Sequence, residues 1–140
     1  MGASSVVFTG GEATLYKDLK KVVEYAKREC KLDVKLYTMC YRTNDNIKLL
    51  NELTKLGVDE IIYSTALNLV QRDSVSTYNL DEFINKLSRT INSELSFHHA
   101  ITNETIGNVK EVCEMVSANT YYKNRGKISL LRYVPHGRGT

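Results

Sequence analysis

The sequence predicts an α/β domain in which five parallel strands alternate with four helices. Short runs rich in Val, Ile, Tyr and Phe are typical of strands. Between them lie longer segments whose apolar residues recur at helical spacing. Strands that alternate with helices in this way pair in parallel and are joined by right-handed crossovers. Because 140 residues is the size of one ordinary domain, we expect residues 1–140 to form a single unit.

The strands and helices follow one another along the chain. The predicted strands are Ser5–Thr9, Val34–Met39, Glu60–Ser64, Leu95–Ala100 and Ile128–Val134. Four apolar stripes indicate the helices: Leu15, Leu19, Val22, Val23 and Ala26; Ile47, Leu50, Leu53 and Leu56; Phe83, Ile84, Leu87 and Ile91; Ile106, Val109, Val112 and Val116. The first helix is expected over about Leu15–Glu29, and the third and fourth are expected to begin near Asp81 and Asn103.

Boundary signals are clearest around the second helix. Asn44 or Asp45 is expected to cap its start, and Gly57 is expected to end it. The segment Ala66–Asn79 has no clear period and is expected to be a loop or a short helix. In a parallel sheet the carboxyl ends of the strands share one edge, where ligand sites collect. The segments predicted to converge there are Gly10–Glu12, Cys40–Arg42, Ser64–Thr65, Ile101–Thr102 and Pro135–Gly137.

Composition and charge narrow the class of protein. With 42% hydrophobic and 25% charged residues, the chain is typical of a globular domain with a core. A formal net charge of +3 is too small to indicate a nucleic-acid partner. No apolar run approaches the ~20 residues that span a bilayer. The first residues also lack the basic flank and long apolar stretch of a signal peptide. We therefore expect a cytoplasmic protein without a membrane partner.

The three cysteines do not match a metal-binding pattern. Cys30, Cys40 and Cys113 have spacings unlike those of zinc or iron–sulfur ligands, so no metal ligands are assigned within the chain. Cys30 and Cys113 lie in predicted helices and are expected to be small core residues. Cys40 ends the second predicted strand and is therefore a candidate to line a site.

The first strand leads directly into a glycine-rich turn. The run Val6–Phe8 is followed by the phrase "FTGGEATLY", in which Gly10 and Gly11 let backbone N–H groups approach a ligand closely. The helix expected next would direct its positive end to the same place. This phrase resembles the Gly-Gly-Glu motif of the radical S-adenosylmethionine (radical SAM) enzymes. The phrases "DVKLYTMC", "LTKLGVDEIIYST", "FHHAITNETIGNVKEV" and "ISLLRYVPHGRG" are similar, in order, to the later strands of that family.

The resemblance implies a partial (β/α) barrel whose first β/α unit is missing. In the family that unit carries a C-x3-C-x2-C loop for a 4Fe–4S cluster, so a missing segment or a separate chain would supply these cysteines. The cluster and S-adenosylmethionine (SAM) together generate a 5′-deoxyadenosyl radical that abstracts hydrogen from a small-molecule or peptide substrate. Without the loop, these 140 residues are not expected to catalyse that reaction alone.

The resemblance also implies a role for individual residues. The SAM contacts it implies are Gly10 and Gly11 through their backbone, Glu12 to the ammonium group, Ser64 to the ribose, and Val134, Pro135 and His136 near the adenine. Glu12 has an alternative role as a helix cap, because acidic side chains favour helix starts. The candidate substrate contacts are Cys40, His98, Arg132 and Arg138. His98 and His99 are adjacent on a strand and must face opposite sides of the sheet.

Two alternatives to an enzyme portion remain open. The chain is also compatible with a non-catalytic α/β domain that binds SAM or a nucleotide. It is compatible as well with an ordinary doubly wound domain in which Gly10–Glu12 occurs by chance. A glycine pair by itself is far too short for a dinucleotide-binding fingerprint.

Overall fold

A computed structural model describes residues 2–65, 76–103, 105–118 and 127–132. The strands are β1 (Ser5–Phe8), β2 (Asp33–Thr38), β3 (Glu60–Ser64), β4 (Glu94–Ile101) and β5 (Ile128–Arg132). The helices are α1 (Leu19–Arg28), α2 (Asn44–Leu56), α3 (Leu80–Thr90) and α4 (Val109–Ala118). The predicted alternation of five strands with four helices is confirmed, and each predicted strand overlaps an observed one.

The five strands form one parallel sheet in the order β1-β2-β3-β4-β5. Each strand therefore pairs with its neighbour in the sequence. Right-handed crossovers that all step in the same direction along a sheet put their helices on one face. Consistent with this, α1 packs beside α2, and α2 packs beside α3. All five strands end at one edge, which brings the loops that follow them together.

The two faces of the sheet differ in chemistry. The register aligns apolar side chains on the face that packs against the helices, namely Val6, Phe8, Val34, Leu36, Ile61, Tyr63, Leu95, Phe97 and Ile128. They join a core with buried residues of the helices, among them Val23, Leu50, Leu53, Phe83 and Leu87. The opposite face carries mostly polar residues: Lys35, Tyr37, Glu60, Ile62, Ser64, Ser96 and His98. It is called here the helix-free face because the helices of the described residues pack on the other side.

Of the two predicted boundaries of α2, the carboxyl end is confirmed and the amino end is not. Gly57 ends the helix with a φ of 113°, a left-handed conformation that favours glycine, as expected. The cap at the start is Thr43, whose side chain accepts a hydrogen bond from the Asn46 N–H. The prediction of Asn44 or Asp45 was wrong, because both already lie within the first turn of the helix.

The first and fourth helices begin later than predicted. Short 3-10 turns, Ala13–Leu15 and Ile106–Asn108, precede α1 and α4. Extended backbone at Tyr16 separates the first of these turns from α1. Leu15 is 79% exposed and Ile106 is 62% exposed, so neither belongs to the buried stripe assigned to it. The apolar residues predicted for α2 and α3 do pack inward.

No helix in the described part of the chain is both long enough and apolar enough to cross a membrane.

Candidate binding site at the carboxyl edge of the sheet

The glycine pair after β1 presents open backbone. Gly10 has a φ of 139°, a conformation that side chains other than glycine rarely adopt. Gly11 does not share this constraint. A Cβ atom added to either glycine would meet no atom within 4 Å. The backbone of this loop is therefore accessible to a ligand, and Gly10 is also required by its own conformation.

Glu12 links the β1 loop to the end of β2. Its Oε1 accepts hydrogen bonds from the Thr14 N–H (3.0 Å), the Thr14 hydroxyl (2.6 Å) and the Thr38 hydroxyl (2.5 Å). Its Oε2 accepts the Met39 N–H at 2.8 Å. Glu12 is the N-cap residue of the 3-10 turn Ala13–Leu15, so the capping role is confirmed for that turn. Each carboxylate oxygen has about two lone-pair sites, and Oε2 accepts only the Met39 N–H, so Oε2 can accept one further donor.

Cys40 lies below this edge, within the core. It is 2% exposed and belongs to the apolar cluster. Burial raises the pKa of its thiol to about 12; a hydrogen bond with Thr38 opposes the rise, and the charge of Glu12 adds to it. The Tyr63 hydroxyl donates to the Cys40 carbonyl at 3.1 Å. A buried, protonated thiol is a poor nucleophile. Substrate contact by Cys40 stays a prediction, and its placement gives no direct access.

The two adjacent histidines point to opposite faces, as predicted. His99 is fully buried, with Nδ1 2.8 Å from the Thr65 hydroxyl and Nε2 3.2 Å from the Thr105 carbonyl. A carbonyl oxygen only accepts, so Nε2 must carry a proton to make that bond. His99 therefore ties β4 to the turn before α4. His98 lies half-buried on the helix-free face.

On that face His98 contacts Tyr37 of β2. Their ring centroids are 5.4 Å apart and the planes make an angle of 64°, an edge-to-face arrangement. Burial lowers the pKa of His98; the negative charge of Glu60 opposes this shift and the positive charge of Lys127 adds to it. This shift favours the neutral form of the imidazole. Ser64, expected to contact the ribose, ends β3 at the register position beside His98 and is 3% exposed.

Sequence reasoning did not identify a buried carboxylate on the helix-free face. Glu60 accepts hydrogen bonds from Lys35 at 2.6 Å and from Ser96 at 2.6 Å, and Lys127 lies 3.4 Å away. Burial tends to raise the pKa of Glu60, but these donors and the lysine charges outweigh it and hold the pKa below its usual value. Polar residues at every second position of β2 and β4 were the signal for such a face.

A separate groove of about 870 Å³ lies on the helix side of the sheet. It is lined by Arg42, by residues 76–81 and by one side of α4. The apolar part of its lining is Leu80, Val112, Met115 and Ala118. None of the predicted SAM or substrate residues in the described part of the chain lines this groove.

Of the remaining predicted residues, the structure describes only Arg132. Arg132 is the last residue of β5 and is exposed. Val134, Pro135, His136 and Arg138 lie outside the described residues, as does most of Ala66–Asn79. The structure therefore joins the first two edge loops directly, through the hydrogen bonds of Glu12.

The three cysteines lie at different elements of the fold. Cys30 is exposed, beyond the last residue of α1, so the prediction that it packs in the core was wrong. Cys113 is half-buried on α4, and Cys40 follows β2. Within the described residues, no three His, Cys, Asp or Glu side chains are grouped so that they could hold a metal ion.

No protein-family model matches this sequence, and no curated protein matches it significantly.

Proposed function

We propose that this chain forms the SAM-binding part of a radical SAM-type (β/α) barrel. The observation that carries the proposal is the open glycine pair, Gly10 and Gly11, at the carboxyl end of β1 in a parallel sheet of consecutive strands. Consecutive order is the arrangement of a β/α barrel wall, whereas doubly wound sheets reverse their order at a switch point. The strand order thus favours the barrel over an ordinary doubly wound domain.

The edge residues fit the methionine part of SAM. The backbone at Gly10 and Gly11 is unobstructed. Glu12 is held in place by four hydrogen bonds and retains a lone-pair site on Oε2 for an ammonium group. Ser64 ends β3 at the same edge, but it is 3% exposed, so its contact with the ribose would need a rearrangement at this edge. Bound SAM would supply the 5′-deoxyadenosyl group for hydrogen abstraction, and the role of these residues is to bind and orient it.

The residues do not fit a 4Fe–4S cluster. Such a cluster needs several cysteine thiolates around one position. Cys40 is buried in the core, while Cys30 and Cys113 belong to other elements. No step of the proposal therefore runs through a cluster on this chain. In an enzyme, the cluster ligands would belong to another segment or another chain.

Titration calorimetry with SAM tests the proposal, and Gly11→Ala is the informative variant. An added methyl at Gly11 meets no atom of the protein, so a loss of affinity would report contact with the ligand. We expect SAM affinity to fall by about tenfold or more, a loss of about 1.4 kcal/mol. Gly2→Ala is the matched control, since Gly2 also has open space and precedes the amino end of β1. Absence of SAM binding by the wild-type chain, or equal effects of both variants, would contradict the proposal.

A non-catalytic SAM- or nucleotide-binding domain is the second candidate. The placement of the three cysteines at different elements, with Cys40 buried, favours it. Parallel titrations with ATP separate a general nucleotide site from a SAM site, because only SAM carries the amino-acid group that Glu12 would recognise. The coding sequence upstream of Met1 separates binder from enzyme. A strand followed by C-x3-C-x2-C in the same frame favours the enzyme.

A further inference from the structure

The groove on the helix side of the sheet marks a gap in the layer of helices. On this side α1 packs beside α2, and α2 packs beside α3. In the part of the chain that the structure describes, α4 does not pack beside α3 to the same extent. The groove of about 870 Å³ lies here, between one side of α4 and residues 76–81, which lead into α3. The layer is therefore open where a further helix could lie.

The bottom and walls of this groove are apolar. Val112, Met115 and Ala118 line it at intervals of three residues on one side of α4, where residues three and four apart are neighbours. Val112 is buried, Met115 is half-buried and Ala118 is exposed. Leu80, on the opposite wall, is half-buried. Apolar surface thus continues from the protein interior into the part of the groove that solvent reaches.

The rim of the groove is negatively charged. Asp81 on one wall and Glu111 and Glu114 on the other are all exposed. Glu114 lies 3.7 Å from Lys110, whereas neither Asp81 nor Glu111 forms an ion pair with a described residue. Arg42 also lines the groove but is only 4% exposed. The charge that a partner would meet at the rim is therefore mainly negative, and it surrounds an apolar strip.

We propose that this groove docks a basic amphipathic helix of a partner protein. Its apolar side would pack on Met115 and Leu80, and its Lys or Arg side chains would lie beside Asp81 and Glu111. A helix suits an apolar groove because its backbone hydrogen bonds are satisfied internally. The carboxylates would repel an acidic partner or an anionic lipid surface. The groove shares no described residue with the proposed SAM contacts, so the inference does not depend on them.

NMR of the chain labelled at its methionine methyl groups tests the proposal, with an amphipathic Leu/Lys peptide of about 18 residues as the probe. Met115 lines the groove, whereas Met39 follows β2 at the carboxyl edge of the sheet. We expect a saturable shift of the Met115 methyl signal and little change at Met39. The same peptide with Glu in place of Lys should bind at least about tenfold more weakly, because its charges repel those of the rim.

The groove itself is tested by Ala118→Arg, with Ser117→Arg as the matched control. Both residues are exposed at the end of α4 and both substitutions add the same charge, but of the two only Ala118 lines the groove. We expect Ala118→Arg to weaken binding of the Leu/Lys peptide about fivefold or more, by filling the groove and repelling the lysines, and Ser117→Arg to weaken it less than about twofold. Circular dichroism would verify that both variants fold.

Three results would overturn the proposal. They are the absence of a saturable shift at Met115, equal binding of the Leu/Lys and Leu/Glu peptides, and equal effects of Ala118→Arg and Ser117→Arg. A shift at Met39 without one at Met115 would also overturn it and assign the peptide to the edge of the sheet.

Discussion

Replacing Glu12 by Gln should measurably destabilise the protein, whether or not SAM binds. Four donors converge on this carboxylate, from Thr14, Thr38 and Met39. Glutamine offers one oxygen and one NH2 group. If its oxygen keeps the bonds of Oε1, its NH2 group must face the Met39 N–H, so two donors oppose each other. The hydroxyls can rotate to new partners, but the backbone N–H of Met39 cannot.

The size of the effect follows from these contacts. A hydrogen bond to a charged group contributes about 1.5–3 kcal/mol. In Glu12→Gln one such bond is lost, and the other three become bonds between neutral groups. Solvent reduces the effect of each change because Glu12 is only half-buried. We therefore expect a loss of about 2–3 kcal/mol in the free energy of unfolding, at the lower end of the sum of these terms. For a domain of this size, that corresponds to a fall in Tm of about 6–10 °C.

Thermal unfolding followed by circular dichroism measures the change, and hydrogen exchange locates it. The Met39 amide should exchange faster in Glu12→Gln than in the wild type. Glu82→Gln is the matched control, because Glu82 serves an exposed capping box in which glutamine is tolerated. If the Tm of Glu12→Gln equals that of the wild type, the four-donor assignment is wrong. The destabilisation also means that lost SAM binding in Glu12→Gln would not by itself prove ligand contact, whereas Gly11→Ala avoids this ambiguity.

Three further tests concern the reactivity of the cysteine thiols, the end of α2 and the stability of the protein at acidic pH. Iodoacetamide should modify the exposed Cys30 and spare Cys40 in the folded protein, because burial raises the pKa of Cys40 to about 12. Equal modification rates of the two cysteines, measured by peptide mass spectrometry, would contradict the burial of Cys40. Gly57→Ala should lower the free energy of unfolding by about 1–2 kcal/mol, because Gly57 has a φ of 113° and an added Cβ would lie 2.6 Å from Lys27 Cγ. An unchanged midpoint of urea unfolding would argue against this strain. Burial lowers the pKa of His98 from 6.5, so the unfolded chain takes up the proton more readily and stability should fall as the pH drops below about 6.5. His98→Gln should reduce the dependence of Tm on pH between pH 5 and 7. The same dependence in the variant and the wild type would refute the role of His98.

Much of the fold could be predicted because its signals are local. Apolar residues at helical spacing placed α2 and α3, and β-rich runs placed all five strands. Gly57 ended α2 as expected because only a local left-handed turn was needed. The starts of α1 and α4 were less predictable. Leu15 and Ile106 have the right spacing for a helical stripe but belong to 3-10 turns and are exposed.

The candidate site likewise has features that could be predicted from the local sequence and others that could not. The sequence by itself determined the glycine turn, the edge at which it lies and the opposite orientations of His98 and His99, because each follows from residue type and a period of two or 3.6. Only the tertiary structure decided which groups meet. Lys35 and Glu60 are 25 residues apart, and Ser96 is 36 residues from Glu60. Their contact depends on the register between strands, which local periodicity does not contain.

The same reason separates the two aspects of Glu12. Its position at the start of a helical turn was visible in the sequence, and its capping of that turn is a short-range contact. Its bonds to Thr38 and Met39 cross 26 and 27 residues. They exist because β1 and β2 pair in parallel and end at the same edge of the sheet. Local propensity specified the elements, and long-range strand pairing brought their polar ends together.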